Sequence, residues 1–201
     1  MENKFLYHCF DKWFNNSNDV YIISDPHFND PDMKYIRKNY ISDEEQIKRI
    51  NSVCGKKSTL ICLGDVGDIS FVSKLRASYK VLIKGNHDVG SSKYKREINE
   101  NYDNHLFDEI YEGPLMISEK VMLSHEPLNL PNCIFNIHGH DHSNWFVGEN
   151  HLNVCAEHIN YTPINLLSLF KNGYFKSVED IHRITIDKAT EKKLNRGGSI
   201  D

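Results

Sequence analysis

Short apolar runs that each break off at a cluster of acidic, amide or imidazole side chains recur along this chain. That recurrence narrows its possible folds more than any other feature. Val20-Tyr21-Ile22-Ile23-Ser24 stops at Asp25-Pro26-His27-Phe28, residues 58–63 stop at Gly64-Asp65-Val66-Gly67-Asp68, and residues 79–84 stop at Gly85-Asn86-His87-Asp88. Runs of this length, largely apolar and bounded by proline or glycine, read as buried strands. Between the first two, Ser42-Asp43-Glu44-Glu45 opens a helical pattern through Ile47, Ile50 and Val53, with Ser42 as N-cap, Glu45 completing a capping box and Gly55 as the stop. A second short helix is expected over residues 69–78. Alternating strands and helices argue an α/β architecture with parallel pairing in this half. In open α/β folds ligands collect beyond the carboxyl ends of the strands, where these polar clusters stand.

The second half changes rhythm. Residues 91–104 read as a charged, solvated helix. Strand-like stretches follow at residues 115–118 and 121–124, separated by Glu119-Lys120, and the second ends in His125-Glu126-Pro127. Residues 133–137 lead into His138-Gly139-His140-Asp141-His142, and residues 152–155 form the next run. Strands in quick succession suggest a second sheet, largely antiparallel. Pro163 is expected in the first turn of an amphipathic helix through Leu166, Leu167 and Phe170, stopped near Gly173. Residues 5–14 space Phe5, Leu6, Cys9, Phe10, Trp13 and Phe14 as an amphipathic helix, so residues 1–19 are read as an N-terminal extension. Residues 195–201 are read as a frayed tail. The 201 residues suit a single domain with a cleft on its rim.

Composition narrows the function. A net charge of −4 with both signs interspersed offers no basic stripe, so nucleic acid is possible but not favoured as a partner. The five cysteines are scattered without a C-x-x-C pair, which argues against a disulfide framework or zinc knuckle. Cys62 and Cys155 read as core packing. No apolar stretch approaches the roughly 20 residues of a membrane span, and the N-terminus lacks a basic-then-apolar signal pattern; no membrane association and a cytoplasmic location are expected. Eleven histidines exceed what packing asks for.

Gathering the strand ends gives Asp25, His27, Asp65, Asn86, His125, His140 and His142. Taken singly, Asp25 and Asp65 read as helix N-caps and Asn86 as a turn residue. Taken together they are oxygen and nitrogen donors without a thiolate, a set suited to manganese, iron or zinc. Seven donors are too many for one tetrahedral ion. A carboxylate shared by two ions roughly 3.5–4 Å apart accounts for the number, and such pairs recur in phosphate-ester hydrolysis. His140 and His142 lie on one short backbone segment that can present both imidazoles to a metal centre.

Asp25-x-His27, Gly64-Asp65-x-x-Asp68, Gly85-Asn86-His87-Asp88, the strand-end His125 and Gly139-His140-x-His142 resemble, in order and spacing, the calcineurin-like metallophosphoesterase superfamily in its small bacterial and phage-type members. The resemblance implies a four-layer α-β-β-α sandwich with two mixed β-sheets flanked by helices. It implies that Asp25, His27 and His142 hold one metal, Asn86, His125 and His140 the other, and that Asp65 bridges them. Manganese is the expected ion, with iron, zinc, nickel and magnesium as alternatives. A hydroxide bridging the ions would attack phosphorus, His87 would serve the leaving group, and Asp68 would orient His87. His138 is not a ligand position in that pattern.

Protein phosphatases of the superfamily carry arginine where this chain has Ile69 and glutamate where it has Asp88, so a phosphoprotein substrate is disfavoured. The expected activity is hydrolysis of a small phosphoester, with a phosphodiester such as a nucleotide in first place. The alternatives are a nuclease or nucleic-acid-end phosphatase and, less favoured, a non-catalytic scaffold. His8, His105, His151, His158 and His182 carry no motif.

Overall fold

A computed structural model of the chain describes residues 19–90, 105–118, 120–143, 148–176 and 178. The amphipathic segment 5–14, the charged helix 91–104 and the tail 195–201 lie outside these residues, as do His8, Cys9 and His182. The first half of the chain supplies β1 (Val20–Ile23), β2 (Thr59–Cys62), β3 (Tyr79–Ile83) and β4 (Glu109–Tyr111). The second half supplies β5 (Leu115–Met116), β6 (Val121–Leu123), β7 (Phe135–His138) and β8 (His151–Asn153), and a last short strand, β9 (Ile164–Asn165), returns to the first sheet. The result is two mixed sheets with helices, in the orders β4-β3-β2-β1-β9 and β5-β6-β7-β8.

In the first sheet β1, β2, β3 and β4 run parallel, and β9 closes the edge antiparallel to β1 with Ile22 opposite Ile164. Both faces are apolar, as parallel strands require when each face is covered. Val20, Ile22, Ile61, Leu63, Val81 and Ile83 point to the second sheet, where Val121, Leu123, Phe135, Ile137 and Val154 meet them. The alternate residues Ile23, Leu60, Cys62 and Leu82 point the other way. They are covered by Ile50 and Cys54 of the α2 region and by Ile69, Val72 and Leu75. That covering layer comprises α1 (Met33–Ile36), α2 (Asp43–Val53) and a 3-10 helix, Ile69–Lys74.

Several local expectations need correction. The second sheet is not largely antiparallel: β7 runs parallel to both β6 and β8, and only β5 and β6 form a hairpin. Ile117 N donates to Val121 O (2.9 Å) across the β5–β6 hairpin, but the links into β7 and β8 each reach about the dozen residues a parallel crossover needs. Ser42 caps α2 by accepting from Glu45 N, yet Glu45 turns its carboxylate to Arg49 and Lys48 instead of closing the box. The helix expected over 69–78 is a shorter 3-10 turn. Pro163 does not open a helix. It precedes β9, and α3 (Leu166–Lys171) starts after Asn165, whose side chain accepts from Ser168 N. β4 was not anticipated, being three residues of mixed polarity.

Parallel pairing in both sheets has one consequence for function. The carboxyl ends of β1, β2 and β3 emerge on one rim, and those of β6 and β7 reach the same rim. The segment 154–156 stitches the sheets together there: Val154 N donates to His138 O (2.7 Å), Ser24 N to Val154 O (2.9 Å) and Ala156 N to Ser24 O (2.9 Å).

Candidate metal centre

Beyond the strands, the chain keeps its pairing but turns sharply. Asp25 N donates to Gly64 O (3.1 Å), His27 N to Asp65 O (3.0 Å) and Phe28 N to Val66 O (2.9 Å), so the loops after β1 and β2 travel side by side. Asp25, His27, Asp65 and His140 all adopt positive φ, at 53°, 45°, 51° and 68°. Aspartate and histidine are among the residues that visit this region most readily, and each such position still costs about 1–3 kcal/mol. Four strained residues on one rim are held because the surrounding hydrogen bonds over-determine them. Glycine does the rest at Gly85 and Gly139: a β-carbon on Gly85 would come within 3.0 Å of Asp65 and His125, and one on Gly139 within 3.0 Å of Ser24 and Asp25.

Two groups of donors result. Asp25, His27 and His142 form one, Asp65, His125 and His140 the other, with ligand-capable atoms within 4.8 Å of one another in each. In the first, Asp25 Oδ1 lies 3.8 Å from both His27 Nε2 and His142 Nε2. In the second, His125 Nε2 is 2.8 Å from Asn86 Oδ1, 3.2 Å from His140 Nδ1 and 3.4 Å from Asp65 Oδ2. Asp65 Oδ2 stands between the groups, 3.7 Å from His27 Nε2 on the other side. A coordination polyhedron with bonds of about 2.1 Å has edges of roughly 3.0–3.4 Å, close to these separations.

The tautomers show why a cation fits. His125 Nδ1 lies 2.7 Å from Leu63 O, which can only accept, so the proton sits on Nδ1 and the Nε2 lone pair of the neutral ring faces Asn86 Oδ1 and Asp65. His142 Nδ1 is held by Glu157 Oε1 at 2.5 Å, which leaves Nε2 toward Asp25. His27 Nδ1 faces Asp30 Oδ2 at 3.5 Å, with Nε2 between Asp25 and Asp65. Metal-bound imidazoles characteristically give their outer N–H to a carbonyl or carboxylate, as His125 and His142 do here, whereas His27 Nδ1 lies in ion-pair reach of Asp30 without a hydrogen bond. Asp25 Oδ2 accepts from His140 N (2.8 Å) and the Cys155 thiol (3.2 Å), while its Oδ1 and His27 Nε2 are buried without a hydrogen-bond partner. Lone pairs converging without a hydrogen between them are repulsive until a cation enters.

Electrostatics agree. Burial opposes charge on His125, but the carboxylates of Asp65 and Asp25 outweigh it and push the ring up to about 9. Burial would raise Asp25, and the imidazoles of His27 and His125 hold it below the ordinary carboxylate range instead. His142 is raised, since Glu157 overcomes desolvation. The rim therefore attracts positive charge, which a proton supplies when no metal is bound.

The remaining sequence-named residues fall differently. His87 is at the solvent edge, its side chain 46% exposed, with Nε2 3.9 Å from Asp65 Oδ2 and its ring edge-on to His27 at 5.3 Å. Asp68 does not meet His87 among the described residues; it accepts from Ser70 N (3.0 Å), Ser70 Oγ (2.6 Å) and Asn29 Nδ2 (3.1 Å) and caps the 3-10 helix. Asp88 is buried and accepts from the backbone N–H groups of Gly85, Asp65 and Val66, locking the β2 and β3 turns together. His138 is buried with Nδ1 on Gly139 O, and His158 Nε2 meets Asp141 O at 2.9 Å. Cys155, expected to be plain core, also donates its thiol to Asp25, and burial raises its pKa far above the ordinary range.

Sequence reasoning missed Arg37 and Glu157. Glu157 had a usable signal, a carboxylate just past a strand end; Arg37 had none, because its partners, the Glu157 carboxylate and the carbonyls of Asp25 and Pro26, lie distant in sequence.

An α/β chain with two histidine–carboxylate donor groups on one strand-end rim is built as a metal-dependent hydrolase is built. A family model for the calcineurin-like phosphoesterases matches residues 19–187, and the chain belongs to that family. It is accordingly a metal-dependent phosphoesterase by family, with donor groups for divalent ions. No curated protein matches the sequence significantly. Among solved structures, a protein of unknown function from Aquifex aeolicus is similar, with a TM-score of 0.58 and 23% identity over 77% of this chain and 98% of that one; the likeness extends to the fold. Among the described residues no helix is long and apolar enough to cross a membrane.

Proposed function

We propose that this chain is a dinuclear phosphodiesterase acting on a small phosphoester such as a nucleotide. The observation that carries the reading is the pair of donor groups with Asp65 Oδ2 between His27 and His125. Asp25, His27 and His142 would hold one ion, Asn86, His125 and His140 the second, and Asp65 both. Divalent ions held there, manganese first among the candidates, would supply positive charge to the phosphoryl oxygens and lower the pKa of a coordinated water.

The protein's own residues divide the remaining work. Asp25 and His27 are buried, whereas Asn86, His87 and His140 are exposed, so substrate approaches from the second group's side. Asn86, a neutral donor, leaves that side less negative than a carboxylate would and so admits an anion. His87 stands at the same opening with its ring free to deliver a proton to the departing oxygen, a contribution of about 10²–10⁴-fold in rate. Asp68 would act on His87 only after a rotation away from Ser70 and Asn29.

Preference for a diester follows from charge. A monoester dianion asks for an additional cation, and the one arginine beside the donor groups among the described residues, Arg37, is buried and committed to Glu157 and to backbone carbonyls. Ile69 is buried where the phosphatases place arginine. The carboxylates of Asp30, Asp43 and Asp68 near Asn29 and His27 disfavour a polyanionic nucleic acid and leave a small substrate favoured. A panel of nucleoside monophosphates, dinucleotides and cyclic nucleotides, assayed with manganese, zinc and magnesium, tests the reading. Faster turnover of monoesters than of diesters with every ion would overturn the diester assignment, and no turnover of any member would overturn the enzyme reading.

A further inference from the structure

Beneath the first donor group lies a buried ion pair that belongs to no motif. Arg37 Nε meets Glu157 Oε2 at 3.0 Å, with both side chains nearly inaccessible, 2% and 5% exposed. Glu157 Oε1 is 2.5 Å from His142 Nδ1. The same guanidinium donates from Nη2 to Asp25 O and from Nη1 to Pro26 O (3.3 Å), where Gln46 Nε2 also donates (3.0 Å). Tyr161 covers it, with its ring centroid 5.7 Å from the guanidinium carbon.

We infer that Arg37 and Glu157 are positioning residues dedicated to the first metal site, fixing His142 through its Nδ1 and Asp25 through its carbonyl. This rests on the two-metal reading above. His142, Cys155 and Glu157 also lie within ligand distance of one another, which by itself suggests a third metal site. The ion pair and the hydrogen bonds around Glu157 and Cys155 argue otherwise. Both Glu157 oxygens are engaged, one by His142 and one by Arg37, and the Cys155 thiol keeps its proton on Asp25.

A buried ion pair is weak evidence of stabilisation, because desolvation offsets most of its attraction. Its geometry explains its presence better. Glu157 holds the His142 proton on Nδ1 and so presents Nε2 to the metal, while Arg37 balances the carboxylate's charge and grips the strained Asp25 turn. The second group uses other braces: Leu63 O on His125 and Asp65 Oδ1 on His87 N. The two sites are therefore separable.

The test is metal binding by titration calorimetry on metal-free protein, with bound metal counted by elemental analysis, for wild type, Glu157→Ala and Glu157→Gln. Glutamine keeps an acceptor for Nδ1–H; alanine does not. Wild type should bind two manganese ions. Glu157→Ala should bind one of them about 10–100-fold more weakly and the other normally, an effect typical of losing a ligand's outer partner, and Glu157→Gln should restore most of the loss. Equal weakening of both ions, or unchanged binding in Glu157→Ala, overturns the inference alone. Wild type that binds fewer than two ions overturns the two-metal reading, and the inference with it. If the alanine variant does not fold, imidazole nitrogen shifts of zinc-loaded, ¹⁵N-histidine-labelled wild type decide instead: a proton on His142 Nδ1 supports the inference, and one on Nε2 overturns it.

Discussion

Replacing Gly139 with alanine isolates the close approach on which the rim depends. Gly139 is buried between β7 and the ligand loop, and its φ is not in the left-handed region, so the substitution adds a methyl group without a backbone penalty. That methyl group would lie within 3.0 Å of Ser24 Oγ, Ser24 Cβ and Asp25 Oδ2. None of the three can yield freely: Ser24 Oγ donates to Leu63 O at 2.7 Å, and Asp25 Oδ2 accepts from His140 N at 2.8 Å. Overpacking of about 1–3 kcal/mol together with a weakened buried hydrogen bond of about 0.5–1.5 kcal/mol gives a loss of about 2–4 kcal/mol. For a chain of this size that lowers Tm by roughly 5–15 °C. Displacing Asp25 should also weaken the first ion more than the second. Calorimetric melting of metal-free protein and manganese titration measure the two effects. Gly55→Ala is the control, since a β-carbon there meets nothing within 4 Å, and it should be neutral or stabilising by up to about 1 kcal/mol. If Gly139→Ala melts no lower than Gly55→Ala, the steric argument is wrong.

Three further outcomes are expected. Stripping metal with a chelator should lower Tm, because each ion present at 100 times its Kd stabilises the native state by about 2.7 kcal/mol; identical melts with and without manganese would count against a metal site. His87→Ala should retain both ions while losing about 10²–10⁴-fold in turnover of esters with poor leaving groups, and unchanged kinetics would remove His87 from the chemistry. Tyr79 donates its phenol to Glu109, which with burial pushes its pKa up to about 12. A pKa raised in the folded state gives stability that is complete below the unfolded value of about 10 and is lost as pH rises toward about 12. Urea unfolding of Tyr79→Phe should therefore show a shallower alkaline decline than wild type, and parallel declines would refute it.

Local chemistry made much of this protein legible in advance. Val20–Ile23, Thr59–Cys62 and Tyr79–Ile83 carry apolar residues on both faces, and that pattern is satisfied only when each face is covered, so parallel pairing followed without a structure. Ser42 announces α2 because an N-cap acts within three residues. The ligand candidates were visible for a similar reason: a donor at a strand end stands on the rim whichever strands pair.

Tertiary structure decided what depends on distance across the chain. The parallel run of β6, β7 and β8 could not be told from a meander, because strand direction is set by where a connection lands rather than by its composition. Arg37 carries no local mark, since its partners, Asp25 O and Glu157, meet it only after β1 and the segment beyond β8 are stitched together at Ser24. Asp68 shows the converse: its spacing from Asp65 matches a motif, but the 3-10 turn it caps directs its carboxylate to Ser70. The chain alone determined which residues reach the rim; folding decided which of them face one another, because pairing a donor with its partner is a non-local contact.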